Sequence, residues 1–395
     1  MIPILYRHDD SGWPSTTIAR LKDCLSCTIS EEVNGKYECK LEYPASGYMV
    51  DYVKIGNYLE LYYPQTWAAK KDTPYQFFRV YKISRHIHGK MTIYGEHISY
   101  MLDNVLLKID PTNSHVVDTY TPAGMITETD GAMAGGVITV AANDAILKKY
   151  TTYDYWINSD GKLSSPSGSY RTKPAFLHNR PYTYRSLLYG QEGSIVDKWG
   201  GFFVFSNYKL YYVRSVQIAA RDGITLRYGH NVSDAQYDID TTSIIGSVIG
   251  YVYKQEADTI EYSDLITFSE ASKIPNRHTV YIDVSEIYNS LNGTTTEGTI
   301  TTTTYSVNDC TRQYINQKKQ SGDYTFLPES LTVSTERVHG DPDDVKIMMP
   351  VSVELTDYNI TMDTAVKSLE YDVLNEKVKT YEIGKKQRKI ADFIS

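Results

Sequence analysis

Hydrophobic and polar residues alternate along much of the chain, most clearly in residues 39–44, 55–64, 76–87 and 90–98. Because successive side chains of a β-strand point to opposite faces, this alternation predicts strands with one buried face. Gly89-Lys90 separates the last two segments, and glycine supplies the backbone angles of a tight turn. The sequence therefore predicts a hairpin here, followed by a short helix over residues 97–107.

The pattern becomes mixed in residues 106–195 and then returns to alternation in residues 202–268 and 280–285. Short helices are predicted at residues 141–150 and 184–201, and the Gly-, Ser- and Pro-rich residues 157–174 predict a loop. This part of the chain is predicted to be an inserted α/β lobe, after which the strands resume.

Residues 306–322 have helical periodicity instead. Apolar residues recur at the i, i+3, i+7 and i+8 spacing of one helix face, and Gly322 fits the C-terminal stop. The residues on this face are Val307, Cys310, Tyr314, Ile315 and the stem of Lys318. The Thr-rich residues 294–304 fit either an extended strand or a loose loop.

The last segments predict a hairpin with Asn375-Glu376 in its turn. One face of its first strand carries Lys367, Leu369, Tyr371 and Val373. With 395 residues the chain is too long for one ordinary core, so we predict several lobes. The predicted class is mainly β with α+β inserts, without a repeat of fixed period.

Tyrosine is the unusual component, with 36 residues against 9 Phe and 4 Trp. Tyrosine suits a half-buried pleated surface and is enriched in protein–protein interfaces. The net charge of −8 argues against ordinary nucleic-acid binding, although residues 385–389 form one basic run. The N-terminus lacks the apolar core of a signal peptide, and the apolar run 132–142 is too short to cross a bilayer. We expect synthesis in a cytoplasm and no membrane anchor.

No motif for hydrolysis, metal-bound water or phosphate binding occurs in the sequence. Cys24 and Cys27 form a lone CxxC without a second pair, which favours small buried residues over zinc binding. Cys310 with His339 could form a thiol–imidazole pair, but Cys310 lies on the apolar face of its helix, which favours core packing. The chain is therefore not expected to be an enzyme, and no cofactor is predicted.

Two groups of residues are the candidate metal ligands. His86 and His88 are two apart on one predicted strand face, to which His97 could be added, but no carboxylate lies at matched spacing. Oxygen ligands could come from Asp341, Asp343 and Asp344, which lie in a turn that does not fit a calcium loop. An exposed polar strand face and a solvated turn explain both groups better, so no metal is predicted.

A set of short sequence motifs, taken in their order along the chain, resembles the prophage tail endopeptidase family. This family comprises the tail-associated hub proteins of long-tailed phages. The N-terminal motifs are Glu42-Tyr43-Pro44, a motif around Gly56, Phe78-Arg79-Val80-Tyr81 and His97-Ile98-Ser99-Tyr100. Residues 187–210, residues 226–231 and the closing hairpin 370–384 extend the resemblance over nearly the whole chain.

The resemblance implies a baseplate-hub-like fold with two tube-type β-barrels and smaller lobes. The implied segments are a first barrel at 1–105, an α/β lobe at 106–200, barrel strands at 201–275, a strand and helix lobe at 276–345 and strands completing the second barrel at 346–395. In this arrangement His86 and His88 are structural or interfacial.

The implied function is a homotrimer that caps the tail tube at the virion tail tip and opens for DNA. Its expected partners are the distal tail protein hexamer, the tape measure protein, a receptor-binding protein or fibre, and phage DNA that passes through the bore without specific binding. Many family members carry a peptidoglycan-cutting domain beyond this region. The chain stops at Ser395, about where the hub ends, so that activity is not carried over. A peptidoglycan hydrolase and a carbohydrate-binding receptor module are the alternative functions.

Overall fold

The computed structural model consists mainly of β-strands with a few short helices, which confirms the predicted class. The residues that the structure describes are 1–87, 89–109, 117–120, 132–133, 138–157, 162–164, 173–175, 182–191, 194–216, 224–227, 234–239, 245–254, 258–268, 278–292, 305–320, 329–334, 345–355 and 360–384.

The strands are numbered in chain order. They are β1 Ile4–His8, β2 Pro14–Arg20, β3 Ser26–Glu32, β4 Tyr37–Pro44, β5 Tyr58–Tyr62, β6 Tyr75–Arg85, β7 Lys90–His97, β8 Leu106–Ile109, β9 Val117–Tyr120, β10 Ala132–Met133, β11 Ile138–Ala142, β12 Thr151–Ile157, β13 Leu163–Ser164, β14 Lys173–Ala175, β15 Tyr182–Thr183, β16 Phe202–Ser206, β17 Lys209–Val216, β18 Ile224–Arg227, β19 Asp234–Ile239, β20 Ile245–Lys254, β21 Thr259–Tyr262, β22 Ile266–Thr267, β23 His278–Asp283, β24 Glu329–Ser334, β25 Pro350–Leu355, β26 Ile360–Asp372 and β27 Lys377–Gly384.

The helices are short, except for the last one. They are α1 Asp144–Leu147, α2 Tyr184–Leu188, α3 Ile195–Trp199, α4 Ser285–Asn292 and α5 Val307–Gln320, with 3-10 helices at Val50–Tyr52 and Ile98–Asn104. Helix α5 begins where predicted, because Ser306 and Asp309 cap each other's backbone N–H groups. The predicted helix over 184–201 is two helices, α2 and α3, separated by Gly190 with φ +87°.

The largest sheet has 13 strands. Its main path runs β19-β24-β27-β26-β3-β4-β7-β6-β5-β1-β2, with β25 paired to β26 and β18 paired to β25. Strand β4 has the predicted alternation, since its core-facing residues Tyr37, Cys39, Leu41 and Tyr43 are all buried. The predicted β6–β7 hairpin is confirmed, with Arg85 opposite Met91 and Gly89 at φ +76°.

The C-terminal hairpin lies in the same sheet as the N-terminal strands. Strand β26 pairs with β3 on one side and β27 on the other, and the Met1 amino group donates to the Val373 carbonyl. The four residues predicted to share one face of β26 are all buried, and a bulge between Val366 and Ser368 leaves Val366 buried as well. The hairpin of the predicted 346–395 segment therefore belongs to the same sheet as the strands of the predicted 1–105 segment. The domain boundaries themselves stay a prediction.

The ends of this sheet, β2 and β19, do not pair with each other, and no closed barrel is found in the described part of the chain. The two tube-type barrels therefore remain an expectation from the resemblance. Smaller sheets have the orders β10-β11-β8-β15, β13-β12-β17-β16 and β14-β9.

The described residues between 245 and 320 form a module with its own hydrophobic core. Strand β20 is central, with the β21 and β22 segments antiparallel to it and β23 parallel to it. Helices α4 and α5 cover one face of this sheet through Val248, Val252, Ile282, Ile287 and Cys310. Gly250 allows close packing there, since a Cβ on it would lie 1.9 Å from Thr311 Oγ1.

Replacement of Gly250 by Ala is expected to force α5 away from β20. Overpacking of this kind costs about 1–3 kcal/mol. Hydrogen exchange of the amides in β20 and α5 measures the loss of local stability. Thr311→Ala added to Gly250→Ala should restore part of the protection, because Thr311 Oγ1 is the nearest atom. Unchanged protection in Gly250→Ala would mean that the helix and the sheet do not approach this closely.

A second expectation concerns Glu31, which β3 places on its buried face and which accepts a hydrogen bond from Tyr63 Oη. Burial raises the pKa of Glu31 from 4.5 to about 7, and the Tyr63 hydrogen bond opposes the shift only partly. Between these pH values the folded chain keeps a proton that the unfolded chain has lost. The free energy of unfolding should therefore fall by about 3 kcal/mol as the pH rises from 4.5 to 7 and beyond.

Urea unfolding of the natural chain and of Glu31→Gln at several pH values measures this effect. The quantity compared is the difference between their free energies of unfolding at each pH. The neighbouring exposed Glu32, changed to Gln, is the matched control and should leave the slope unchanged. A difference between the natural chain and Glu31→Gln that is constant with pH would contradict the expectation.

Candidate interaction surfaces

The candidate metal ligands do not form a cluster in the described residues. His86 lies beyond the end of β6, is exposed, and has its Nε2 3.0 Å from Thr92 Oγ1. His88, Asp341, Asp343 and Asp344 lie outside the described residues. Within those residues, no group of three or more His, Cys, Asp and Glu side chains is close enough to hold a metal ion.

The cysteines of the described residues are packed as small side chains. Cys310 is fully buried in the core between α5 and β20, and burial raises the pKa of its thiol. Cys27 is a buried residue of β3 in the large sheet. Burial raises the pKa of the Cys24 thiol to about 12. His339, the imidazole considered for Cys310, lies outside the described residues. Thiols with raised pKa values are poor nucleophiles at neutral pH.

His97 has a structural role that the sequence pattern did not reveal. It is fully buried, stacks on Tyr37 with ring centroids 4.1 Å apart, and its Nδ1 lies 2.9 Å from Ser99 Oγ. Burial lowers the pKa of His97 well below its usual value, and the charge of Arg185 adds to the effect. The imidazole is therefore neutral at physiological pH.

The same network joins the large sheet to the β16–β17 hairpin. Gln76 Oε1 lies 3.2 Å from His97 Nε2 and accepts a hydrogen bond from the Asn207 backbone N–H. Asn207, with φ 49° in the hairpin turn, also accepts from the Phe77 N–H and donates to the Tyr75 carbonyl. The β16–β17 turn at Asn207-Tyr208 is thus also a point of attachment between the two sheets.

The face of the β20 sheet opposite its helices is covered by no helix or strand in the described residues. Alternation along β20 turns Val248 and Val252 towards the helices and Ile249, Tyr251 and Tyr253 away from them. Register places Tyr281 beside Ile249, Tyr262 beside Tyr251, and Ile260 beside Tyr253. We call this surface the tyrosine face; it consists of Ile249, Tyr251, Tyr253, Ile260, Tyr262 and Tyr281.

The side chains of the tyrosine face are unusually exposed for their type. Tyr281 is 60% exposed, Tyr262 55%, Ile260 49% and Tyr253 46%, and the neighbouring Leu265 is 56% exposed. The rings of Tyr262 and Tyr281 are 5.9 Å apart between centroids and inclined at 56°. An exposed apolar patch of this kind marks an interaction site in soluble proteins.

Carboxylates border the tyrosine face. Asp258 Oδ1 accepts a hydrogen bond of 2.7 Å from Tyr253 Oη, and Asp283 is the register partner of Tyr251. Burial and the adjacent Asp283 carboxylate raise the pKa of the Tyr251 hydroxyl. The hydroxyls of Tyr251 and Tyr253 therefore lie next to carboxylates, while the exposed rings of Tyr262 and Tyr281 remain open to a partner.

A second group of exposed apolar residues lies in loops at one end of the large sheet. Tyr48 is 84% exposed, and Tyr52, Ile55 and Ile87 are also exposed. The Ala45 N–H donates to the Gly89 carbonyl, which connects the 45–57 loop to the β6–β7 turn. Strand β6 ends at Arg85, so Ile87 lies in this turn and does not continue the strand face of Ile83.

None of the helices in the described residues combines the length and the apolar character that a membrane span requires.

Comparison by sequence gave no match to a family model or to a curated protein. Comparison by structure gave prophage tail proteins over the full length of the chain. The 43 kDa tail protein of prophage MuSo2 from Shewanella oneidensis has a TM-score of 0.54 at 11% identity and covers 100% of both chains.

Two further crystal structures are similar to a comparable degree. The prophage tail protein gp18 from Listeria monocytogenes has a TM-score of 0.51 at 13% identity and covers 100% of this chain and 97% of its own. A tail protein from Neisseria meningitidis has a TM-score of 0.50 at 9% identity, with 96% of each chain covered. The chain therefore has a fold similar to that of prophage tail proteins, from one end to the other.

Proposed function

We propose that the chain is a structural protein of a phage tail, and that it acts as the hub at the tail tip. The observation that carries this proposal is the similarity of fold, over at least 96% of the chain, to three tail proteins, two of them from prophages. The sequence motifs that resemble the prophage tail endopeptidase family support the same assignment.

The open edges of the large sheet support assembly into a ring. The outermost strands of its main path are β2 at one end and β19 at the other, and neither has a further neighbour in the described residues. Exposed edge strands present unpaired backbone groups to other chains. Pairing of β2 in one copy with β19 in the next is a head-to-tail contact, which closes into a ring when the rotation allows.

In the proposed arrangement three copies cap the tail tube and dock on the hexameric ring of the distal tail protein. The tape measure protein and a receptor-binding protein or fibre are the other proposed partners, and the trimer opens to release DNA. A net charge of −8 suits a protein that DNA passes without binding.

We propose further that this chain acts without cutting peptidoglycan. The burial of Cys310, the thiol considered as a nucleophile, supports this proposal. A zymogram on bacterial wall material tests it, and clearing by the purified chain would favour the hydrolase instead.

The purified chain is expected to form a homotrimer. Light scattering coupled to size exclusion should give about three times the 44.9 kDa of one copy, and negative-stain images should contain three-lobed rings. A chain that stays monomeric at high concentration and fails to bind the distal tail ring would contradict the proposal.

The ring contact itself is tested by placing charge on the β2 edge. Thr16→Lys with Thr17→Lys introduces two exposed like charges on the strand and should shift the trimer to monomers without loss of the β-sheet circular dichroism. The matched control is Asn289→Lys with Gln313→Lys, on exposed positions of α4 and α5, which should remain trimeric. Trimers of equal stability in both variants would exclude β2 as the ring contact.

A further inference from the structure

The tyrosine face has the chemistry of an interface centre but belongs to a module apart from the open edges of the large sheet. We propose that it docks a different protein of the tail, whose contact surface has an apolar centre and a rim of Lys and Arg. This inference rests on the proposed function and names the kind of partner for this surface.

The centre of the face fits a protein surface. Tyr262 and Tyr281 present large rigid rings at low conformational cost, and Ile260 and Leu265 add aliphatic area beside them. Interfaces between proteins are enriched in tyrosine at their centres, where truncation costs the most binding free energy. A sugar would stack on the rings but would gain little from the aliphatic side chains.

The border of the face determines the charge of the partner. Asp258 and Asp283 are exposed beside it, and their carboxylates accept hydrogen bonds from Tyr253 Oη and the Ser285 N–H of the same module. Lys254 does not neutralise them, because it pairs with Glu261 and lies over the Tyr288 ring of α4 on the other side of the sheet. Complementarity therefore calls for cationic groups on the partner.

The same charges argue against a second copy of this chain as the occupant. A twofold contact through the tyrosine face would bring both carboxylates of one copy close to those of the other. Like charges brought together across an interface cost several kcal/mol. The chain as a whole carries a net charge of −8, which adds to this repulsion.

Site-specific photocrosslinking in assembled tails tests the inference. The full chain carries p-benzoylphenylalanine in place of Tyr262 or Tyr281 and complements a phage with an amber allele of its gene. Tails are purified and irradiated, and the crosslinked peptides are identified by mass spectrometry. Both positions should crosslink to one other tail protein, in a peptide with apolar residues flanked by Lys or Arg.

Neutralisation of the border provides the charge test. Asp258→Asn and Asp283→Asn together keep the shape of the side chains and should lower the crosslinking yield about tenfold, equivalent to about 1.4 kcal/mol. The control changes two exposed carboxylates elsewhere, as Asp10→Asn and Asp51→Asn, and should leave the yield unchanged. The crosslinker at Asn289, on α4, is the positional control and should not label the same peptide.

Crosslinks between two copies of this chain, adducts only with polysaccharide, or no adduct in tails that contain the chain would each overturn the inference. A yield that survives border neutralisation would overturn the claim of a basic partner. Tails that lack the chain altogether would instead overturn the proposed function, so the two failures are distinguishable.

Discussion

The pairing of β26 with β3 is the constraint on which the large sheet depends, because it joins the two ends of the chain. Among the strands that the structure describes, β27, β24 and β19 connect to the N-terminal strands through β26 alone. Closing so long a loop costs entropy, although this cost grows slowly with loop length. Burial offsets this entropy cost where β26 meets β3. There Leu369 lies opposite Glu31, and the ring centroids of Tyr371 and Tyr63 are 5.5 Å apart.

The sequence predicts well what depends on local pattern. Alternation along β4 and β26 identified their buried faces, and Gly89 and Asn375-Glu376 identified two hairpin turns, because these signals act within a few residues. It could not predict that β26 would pair with β3, since any strand with a buried face satisfies the same alternation. The bulge at Val366 could not be predicted from the sequence either, because it depends on the register with the partner strand.

The tyrosine face illustrates the same limit for the candidate site. Tyr251 and Tyr253 were on predicted strands, and the tyrosine excess suggested interfaces, but nothing in the sequence distinguishes them from Tyr63, which is fully buried. The difference arises from what covers each face. A tyrosine serves in both settings because its ring packs against apolar groups while its hydroxyl finds a carboxylate, Glu31 for Tyr63 and Asp258 for Tyr253.

The two proposed contacts use different parts of β-sheet chemistry and do not compete. An edge such as β2 offers backbone N–H and C=O groups in the plane of the sheet, so it accepts another strand with little regard for side chains. The tyrosine face offers side chains perpendicular to the β20 sheet, so it selects a partner by shape and charge. A ring of identical copies requires the first kind of contact, and attachment of a different protein requires the second. A tail component that joins copies of itself to other proteins therefore needs both.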